Sequence, residues 1–170
     1  SGAWALLNGK DGVGAELDLG VGWQDPAVIA ETGLCVWRSG PRPLLDVKSN
    51  GEFLAGRMAL YWTGMSHDTP GIVHGARDYD GIARAGATAR AAVWGNDLSG
   101  LADAVRQSYA VQRAEGMAEL PADLPGALAS KYCGGGFGGY AVYLFAEIAQ
   151  RDAACARPHF RPIEPFVATR

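Results

Sequence analysis

The chain has 170 residues, 48% of them hydrophobic and 19% charged, which suits a globular protein large enough to bury a core and excludes a disordered tail. A net charge of -3, with the 15 basic residues scattered, leaves no electrostatic footprint for nucleic acid, and no apolar run approaches the roughly 20 residues that span a bilayer. The three cysteines, Cys35, Cys133 and Cys155, stand too far apart for a metal-ligand cluster and read as reduced thiols of a cytoplasmic protein.

The chain opens on Ser1 and Gly2 rather than Met, which points to a cloning remnant or to a start inside a longer reading frame. Residues 3–7 read as helical, and residues 9–22, broken by glycines, show no clear period. After "GWQDP" comes a short apolar segment and then "GLCVWR", residues 33–38, whose β-favouring side chains predict a strand. Pro41 and Pro43 in "GPRP" force a turn, since each lacks a donor and restricts the residue before it. "RMALYWTG", residues 57–64, predicts a second and more buried strand.

Over residues 78–94, Ile82, Ala85, Ala89 and Val93 recur at helical spacing, and Gly95 suits the left-handed cap that stops a helix. Asn96 or Asp97 can cap the next helix, in which Leu98, Leu101, Val105 and Tyr109 form one stripe and Gly116 closes the end. A shorter helix is predicted over residues 123–130. Then come the glycine loop, the strand "YAVYLF", a helix over residues 147–156 and a last extended piece at "IEPFV". Helices between non-adjacent strands predict an α+β fold, with a small antiparallel or mixed sheet covered by helices on one face.

Five glycines in the six positions 134–139 are the strongest local signal. Glycine reaches positive φ and removes the Cβ that holds other groups away, so consecutive N–H groups can converge on one anion. A tight turn accounts for the same residues. The loop precedes a strand and no "GK[ST]" follows it, so it is neither a dinucleotide fingerprint nor a P-loop.

The order of residues carries more. "KYCGGGFGGY" resembles the third motif of the GHMP kinases (galactokinase, homoserine kinase, mevalonate kinase, phosphomevalonate kinase), with Gly134, Gly136, Phe137, Gly138 and Gly139 in place. Gly135 stands for the usual alanine and Cys133 for the usual threonine. "GVGWQDP", residues 20–26, resembles the family's segment leading to Asp-Gln or Asp-Asn, nearest in look to fucose-type and heptose-phosphate kinases, with Pro26 where those carry Gln or Asn. "ALYWTGMSH", residues 59–67, resembles their "YTG" strand end, with His67 at a position often held by arginine, and "IEPFV" is similar to their tail.

The resemblance implies a ferredoxin-like C-terminal domain over residues 33–170, preceded in residues 1–32 by a remnant of the N-terminal kinase domain that includes the Asp25 motif. It implies transfer of the γ-phosphoryl group of ATP, with Mg2+, to a hydroxyl of a sugar or sugar phosphate. Asp25 takes the role of general base or hydroxyl orienter; helix capping is a structural reading of the same residue. Gly134, Gly135, Gly136, Phe137, Gly138 and Gly139 line the nucleotide cleft with bare amides. Trp23 and Gln24 shape the sugar pocket, with core packing an alternative for Trp23. Lys131 lends positive charge near the phosphates, or else is a solvated lysine at a helix end. His67 contacts the sugar or its phosphate, or is a surface residue. His74 and His159 are isolated, and no metal ligand set is expected. The family's "GLGSS" type of ATP loop is absent from these 170 residues. The chain alone is therefore expected to be an inactive portion of a kinase, or a non-catalytic ligand-binding or oligomerising module of the same fold. Such a portion exposes the face its companion covers, from which a homo-oligomer is expected.

Overall fold

The computed structural model describes residues 5, 8–9, 11–18, 23–38, 43–66 and 77–165, and these fall into two compact units that divide between Asn50 and Gly51. Of the helix expected over residues 3–7, only Ala5 lies within the described residues, and the "GPRP" turn falls outside them apart from Pro43.

The first unit pairs two short helices with a hairpin. Helix α1 (Gly12–Asp18) forms in the stretch where no period was legible. Its start is set by Asp11, whose carboxylate accepts the N–H of Val13 at 3.1 Å and of Gly14 at 3.0 Å, satisfying donors that a first turn leaves open. Helix α2 (Gln24–Glu31) ends at Thr32, with φ 55. Strand β1 (Leu34–Arg38) then pairs antiparallel with β2 (Leu44–Ser49), with Val36 opposite Val47 and a register shift between Val36 and Trp37. Strand β2, "LLDVKS", was not expected: Asp46 and Lys48 interrupt its apolar residues, so only Val47 is buried.

The second unit begins at the left-handed Gly51, followed by a 3-10 turn, Glu52–Leu54. Strand β3 (Met58–Trp62) lies where "RMALYWTG" predicts it. Helices α3 (Tyr79–Gly95) and α4 (Leu98–Ala114) pack on each other. Strands β4 (Ala127–Tyr132) and β5 (Tyr140–Phe145), helix α5 (Ile148–Cys155) and strand β6 (Phe160–Ile163) complete the unit. The sheet order is β4-β5-β3-β6 and every neighbouring pair is antiparallel. This is the split β-α-β arrangement of a ferredoxin-like fold, with α3 and α4 filling the first crossover. The architecture is α+β, as the sequence predicts.

One face of this sheet carries the core. Ala59, Tyr132, Ala141, Tyr143 and Phe145 alternate onto it and meet Ala154 of α5 and Met117, Leu120 and Leu124 of the connection after α4, with Tyr109 of α4 packed alongside. That connection contains a correction. The helix predicted over residues 123–130 does not form; residues 127–132 are β4. Short apolar runs rich in Ala and Leu serve either state, and here cross-strand pairing with β5 decides. The segment before β4 is held by tyrosine hydroxyls instead of helical bonds. Tyr132 donates to the carbonyl of Ala118 at 3.1 Å, Tyr143 to that of Pro121 at 2.9 Å, and the N–H of Leu120 donates to Tyr109 at 2.8 Å.

Helix ends differ from expectation in one detail. Asp78 caps α3 by accepting the N–H of Gly81 at 2.8 Å, but the left-handed residue after the helix is Asn96, φ 51, while Gly95 stays helical. Asparagine is the residue other than glycine that adopts this conformation most readily. Helix α5 starts on a reciprocal capping box between Glu147 and Gln150. Its buried Arg151 donates to Glu164 at 2.9 Å, and Glu164 also accepts the N–H of Gly56 at 2.7 Å, joining α5, the end of β6 and the turn before β3. The Gly56 N–H and then the Arg151 guanidinium hold the Glu164 carboxyl below its ordinary range.

Candidate functional site

The glycine run is the loop of the β4–β5 hairpin. The N–H of Cys133 donates to the carbonyl of Tyr140 at 2.8 Å and closes the ladder, leaving residues 134–139 to make the bend. Gly134, Gly136, Gly138 and Gly139 all have positive φ, and so does Phe137 at 57°, a rare setting for an aromatic residue. The loop is anchored to the exit of β3. Thr63 donates to the carbonyl of Gly139 through both its N–H, at 3.0 Å, and its hydroxyl, at 2.8 Å, and the N–H of Gly139 donates to the carbonyl of Met65 at 2.9 Å. The "YWTGMS" and "CGGGFGG" stretches, far apart in sequence, thus form one constellation.

The glycines do different work within it. A Cβ on Gly138 would approach the carbonyl oxygen of Ser66 to 2.9 Å, and one on Gly136 would collide with the sulfur of the buried Met117, whereas one on Gly134 would meet nothing within 4 Å. The inner side of the bend is therefore packed and its outer side is open. The N–H groups of Gly134, Gly135, Phe137 and Gly138 have no hydrogen-bond partner among the described residues; Gly134 and Phe137 are exposed, which leaves theirs open to an acceptor from outside, while Gly138 is buried.

Lys131 enters this site from β4, opposite Val142 and two residues before Cys133, so it shares a sheet face with the thiol at the loop's base. Its placement on a strand corrects the helix-end alternative. The side chain is half-buried, and burial holds the ammonium below the ordinary lysine range, with a smaller opposing effect from Cys133. It has no carboxylate partner among the described residues. An anion beside it would restore the charge that burial disfavours. On the same face Trp62 and Tyr140, directly opposed across β3 and β5, form an aromatic pair at 5.0 Å. Trp62, Thr63 and Met65 lie in the "ALYWTGMSH" stretch and Tyr140 closes "KYCGGGFGGY", both of which carry the resemblance, but the sequence assigns no site role to Thr63, Met65 or Tyr140. That the two stretches meet is visible only once the fold brings them together.

Trp23, Gln24 and Asp25 belong to the first unit. Trp23 precedes α2 and is buried, edge-on to Trp37 with ring centroids 5.6 Å apart, which is the packing alternative for that residue. Gln24 is exposed, and Asp25 lies within the first turn of α2 rather than at its N-cap. His67 and His74 fall outside the described residues. No group of three metal-ligating side chains occurs among the described residues, and none of the described helices is long and apolar enough to cross a membrane.

The α+β architecture described above has counterparts among solved structures. The chain is similar to L. major mevalonate kinase, solved in complex with R-mevalonate, at 20% identity over 79% of this chain and 47% of that one, with a TM-score of 0.55. It is also similar to a D-glycero-D-manno-heptose 1-phosphate kinase from Bacteriodes thetaiotaomicron, at 17% identity over 88% of this chain and 49% of that one, with a TM-score of 0.53. The resemblance to the GHMP kinases therefore holds at the level of fold, and the chain spans about half the length of these two kinases. No protein-family model and no curated relative matches the chain.

Proposed function

We propose that the chain is the C-terminal portion of an ATP-dependent kinase that phosphorylates a hydroxyl of a sugar or sugar phosphate. The observation that carries this reading is the glycine hairpin: unpaired main-chain donors at Gly134, Gly135, Phe137 and Gly138, beside a desolvated lysine without a carboxylate partner among the described residues. Peptide N–H groups and a nearby ammonium are the donors that phosphate oxygens require, so these residues fit the phosphate end of a nucleotide. ATP supplies the phosphoryl group and Mg2+ offsets its charge. The chain's own share is to bind and position, which is most of what phosphoryl transfer asks of a protein. Asp25 orients the accepting hydroxyl and takes its proton, with Gln24 helping to define the sugar site and His67 contacting the sugar or its phosphate.

In this reading residues 1–32 continue an N-terminal kinase domain and residues 33–170 form the C-terminal one. The test is phosphoryl transfer from labelled ATP to a panel of sugars and sugar phosphates, run on the 170-residue chain and on the product of its whole reading frame. We expect turnover by the longer product, none by the 170 residues, and a loss of about 100-fold or more in kcat on Asp25→Asn. Full activity of that variant would remove Asp25 from the chemistry, and turnover by the 170 residues would mean the nucleotide site is wrongly assigned. A second reading, a ligand-binding module without turnover, is favoured by Pro26, which takes the place of the amide side chain expected after the aspartate. Nucleotide-induced shifts of the amide signals of residues 134–138, without transfer by either product, would select it.

A further inference from the structure

We propose that Trp62 and Tyr140 receive the C–H face of a ring, and that this aromatic pair selects cyclic acceptors over open-chain ones. The proposal rests on the kinase reading above and adds a specificity determinant to it. Trp62 ends β3 and Tyr140 begins β5, directly opposite one another. Tyr61 and Ala141 beside them turn to the core, so alternation puts Trp62 and Tyr140 on the other face of the sheet, the face of Lys131. The rings stand 5.0 Å apart at 52°, too tilted to cover each other, and Tyr140 stays 38% exposed while Trp62 is half-buried. Cross-strand pairing explains their contact but not their surroundings. Met65, whose carbonyl accepts the Gly139 N–H, is 52% exposed, and Phe137 in the bend is 38% exposed. Apolar exposure gathered at one loop, rather than scattered singly, marks a binding surface.

The occupant follows from what this surface offers. Residues 62–66 and 131–140 contain no carboxylate, amide or guanidinium side chain. The Thr63 hydroxyl is already engaged, donating to the carbonyl of Gly139 at 2.8 Å and accepting the N–H of Met65 at 3.5 Å. Hydroxyls of a ligand therefore find few partners here, whereas aromatic faces accept C–H groups. Charge supplies the other half of the match. Lys131 lies diagonal to Tyr140 across β4 and β5 and has no carboxylate partner among the described residues, and the N–H groups of Gly134 and Phe137 are open. An apolar wall beside donors for anionic oxygen fits a ring joined directly to a phosphate, which is what transfer to a cyclic alcohol produces. In a nucleoside triphosphate the base is separated from the transferred group by the ribose and two phosphates, so the ring beside that group is the acceptor's.

The experiment titrates the 170-residue chain with inorganic phosphate, glycerol 3-phosphate and cyclohexyl phosphate, followed by the amide signals of residues 134–140. The two esters carry the same charge and differ in the ring. Cyclohexyl phosphate should bind about tenfold tighter than glycerol 3-phosphate, the margin expected from burying one apolar ring face. Tyr140→Thr and Trp62→Thr keep a strand-favouring residue, and each should cut the margin to about threefold or less by weakening the ring ester alone. Tyr140→Phe should keep the margin whole. Lys131→Met should weaken all three probes alike. The same spectra report whether each variant is folded, and either aromatic position suffices for the test. Equal affinities of the wild type for the two esters, or a margin that survives both threonine variants, overturn the proposal and leave the kinase reading in place. If none of the three probes binds, the hairpin is not a phosphate site, and the proposal falls together with that reading.

Discussion

Gly134 and Gly136 sit two residues apart in one loop, yet the physical reasons for glycine differ. Both have positive φ, 56° and 80°, so any side chain there adopts the left-handed conformation at a cost of about 1 kcal/mol. At Gly134 that is the whole cost, because the added methyl points into open space. At Gly136 the methyl collides with the sulfur and terminal carbon of Met117, which is 1% exposed and enclosed by the core. Overpacking adds a further ~2 kcal/mol there. In chemical denaturation we therefore expect Gly134→Ala to lower stability by ~1 kcal/mol and Gly136→Ala by ~3 kcal/mol, the second partly relieved by Met117→Ala in the same chain. Equal losses for the two single variants would show that Met117 does not support the loop. The sequence displays the glycines but not this division, because Met117 reaches the loop only through the fold. For Lys131 the charge was legible and the strand that buries its stem was not.

At the scale of elements, β4 is an edge strand, and α4 covers its open side. Gln112 is buried and lies along that edge: its amide nitrogen donates to the carbonyl of Tyr132 at 3.1 Å, and its amide oxygen accepts the N–H of Tyr132 at 3.0 Å. The side chain thus substitutes for one residue of a neighbouring strand and removes an edge that would otherwise template association. Gln112→Met keeps the volume but leaves a buried N–H and a buried carbonyl unpaired. The expected loss is about 2–4 kcal/mol, with faster amide exchange at Tyr132, the residue that leads into the glycine loop. A loss under about 0.5 kcal/mol, with exchange unchanged, would mean that water reaches this edge and satisfies it. Long periodic elements were readable directly: α3, α4, α5 and the apolar strands β3 and β5 each lie where spacing and composition place them. The failures were the short ones. Helix α1 rests on the side chain of Asp11 rather than on apolar spacing, β2 alternates too weakly to register, and β4 carries helix-favouring residues that pairing with β5 overrides.

For the molecule as a whole, the resemblance read from four short stretches extends to a shared fold, while the boundary between compact units, at Asn50 and Gly51, lies where composition gives no sign. The second unit contains everything a ferredoxin-like fold needs to close on itself. Every residue of the main core cluster, from Ala59 to Ala154, lies between Gly51 and Pro165. So do the Arg151–Glu164 pair and the Gly56 N–H that joins it, which hold the last strand and the first turn together. A sheet whose central strand β3 is paired on both sides, by β5 and β6, needs no further strand to complete it. Residues 51–165 expressed alone should therefore fold, unfolding in one cooperative denaturant transition with a stability of about 5–10 kcal/mol. Dispersed amide signals should accompany that transition. If that segment instead binds hydrophobic dye, shows collapsed amide signals and unfolds without a cooperative step, then the core cluster is not self-sufficient and the division at Asn50 does not mark a folding unit. The result bears on function as well. On the proposed kinase reading, a segment that folds alone would present the glycine hairpin and Lys131 without Asp25, so its titration with nucleotide would measure what the hairpin amides and Lys131 contribute together.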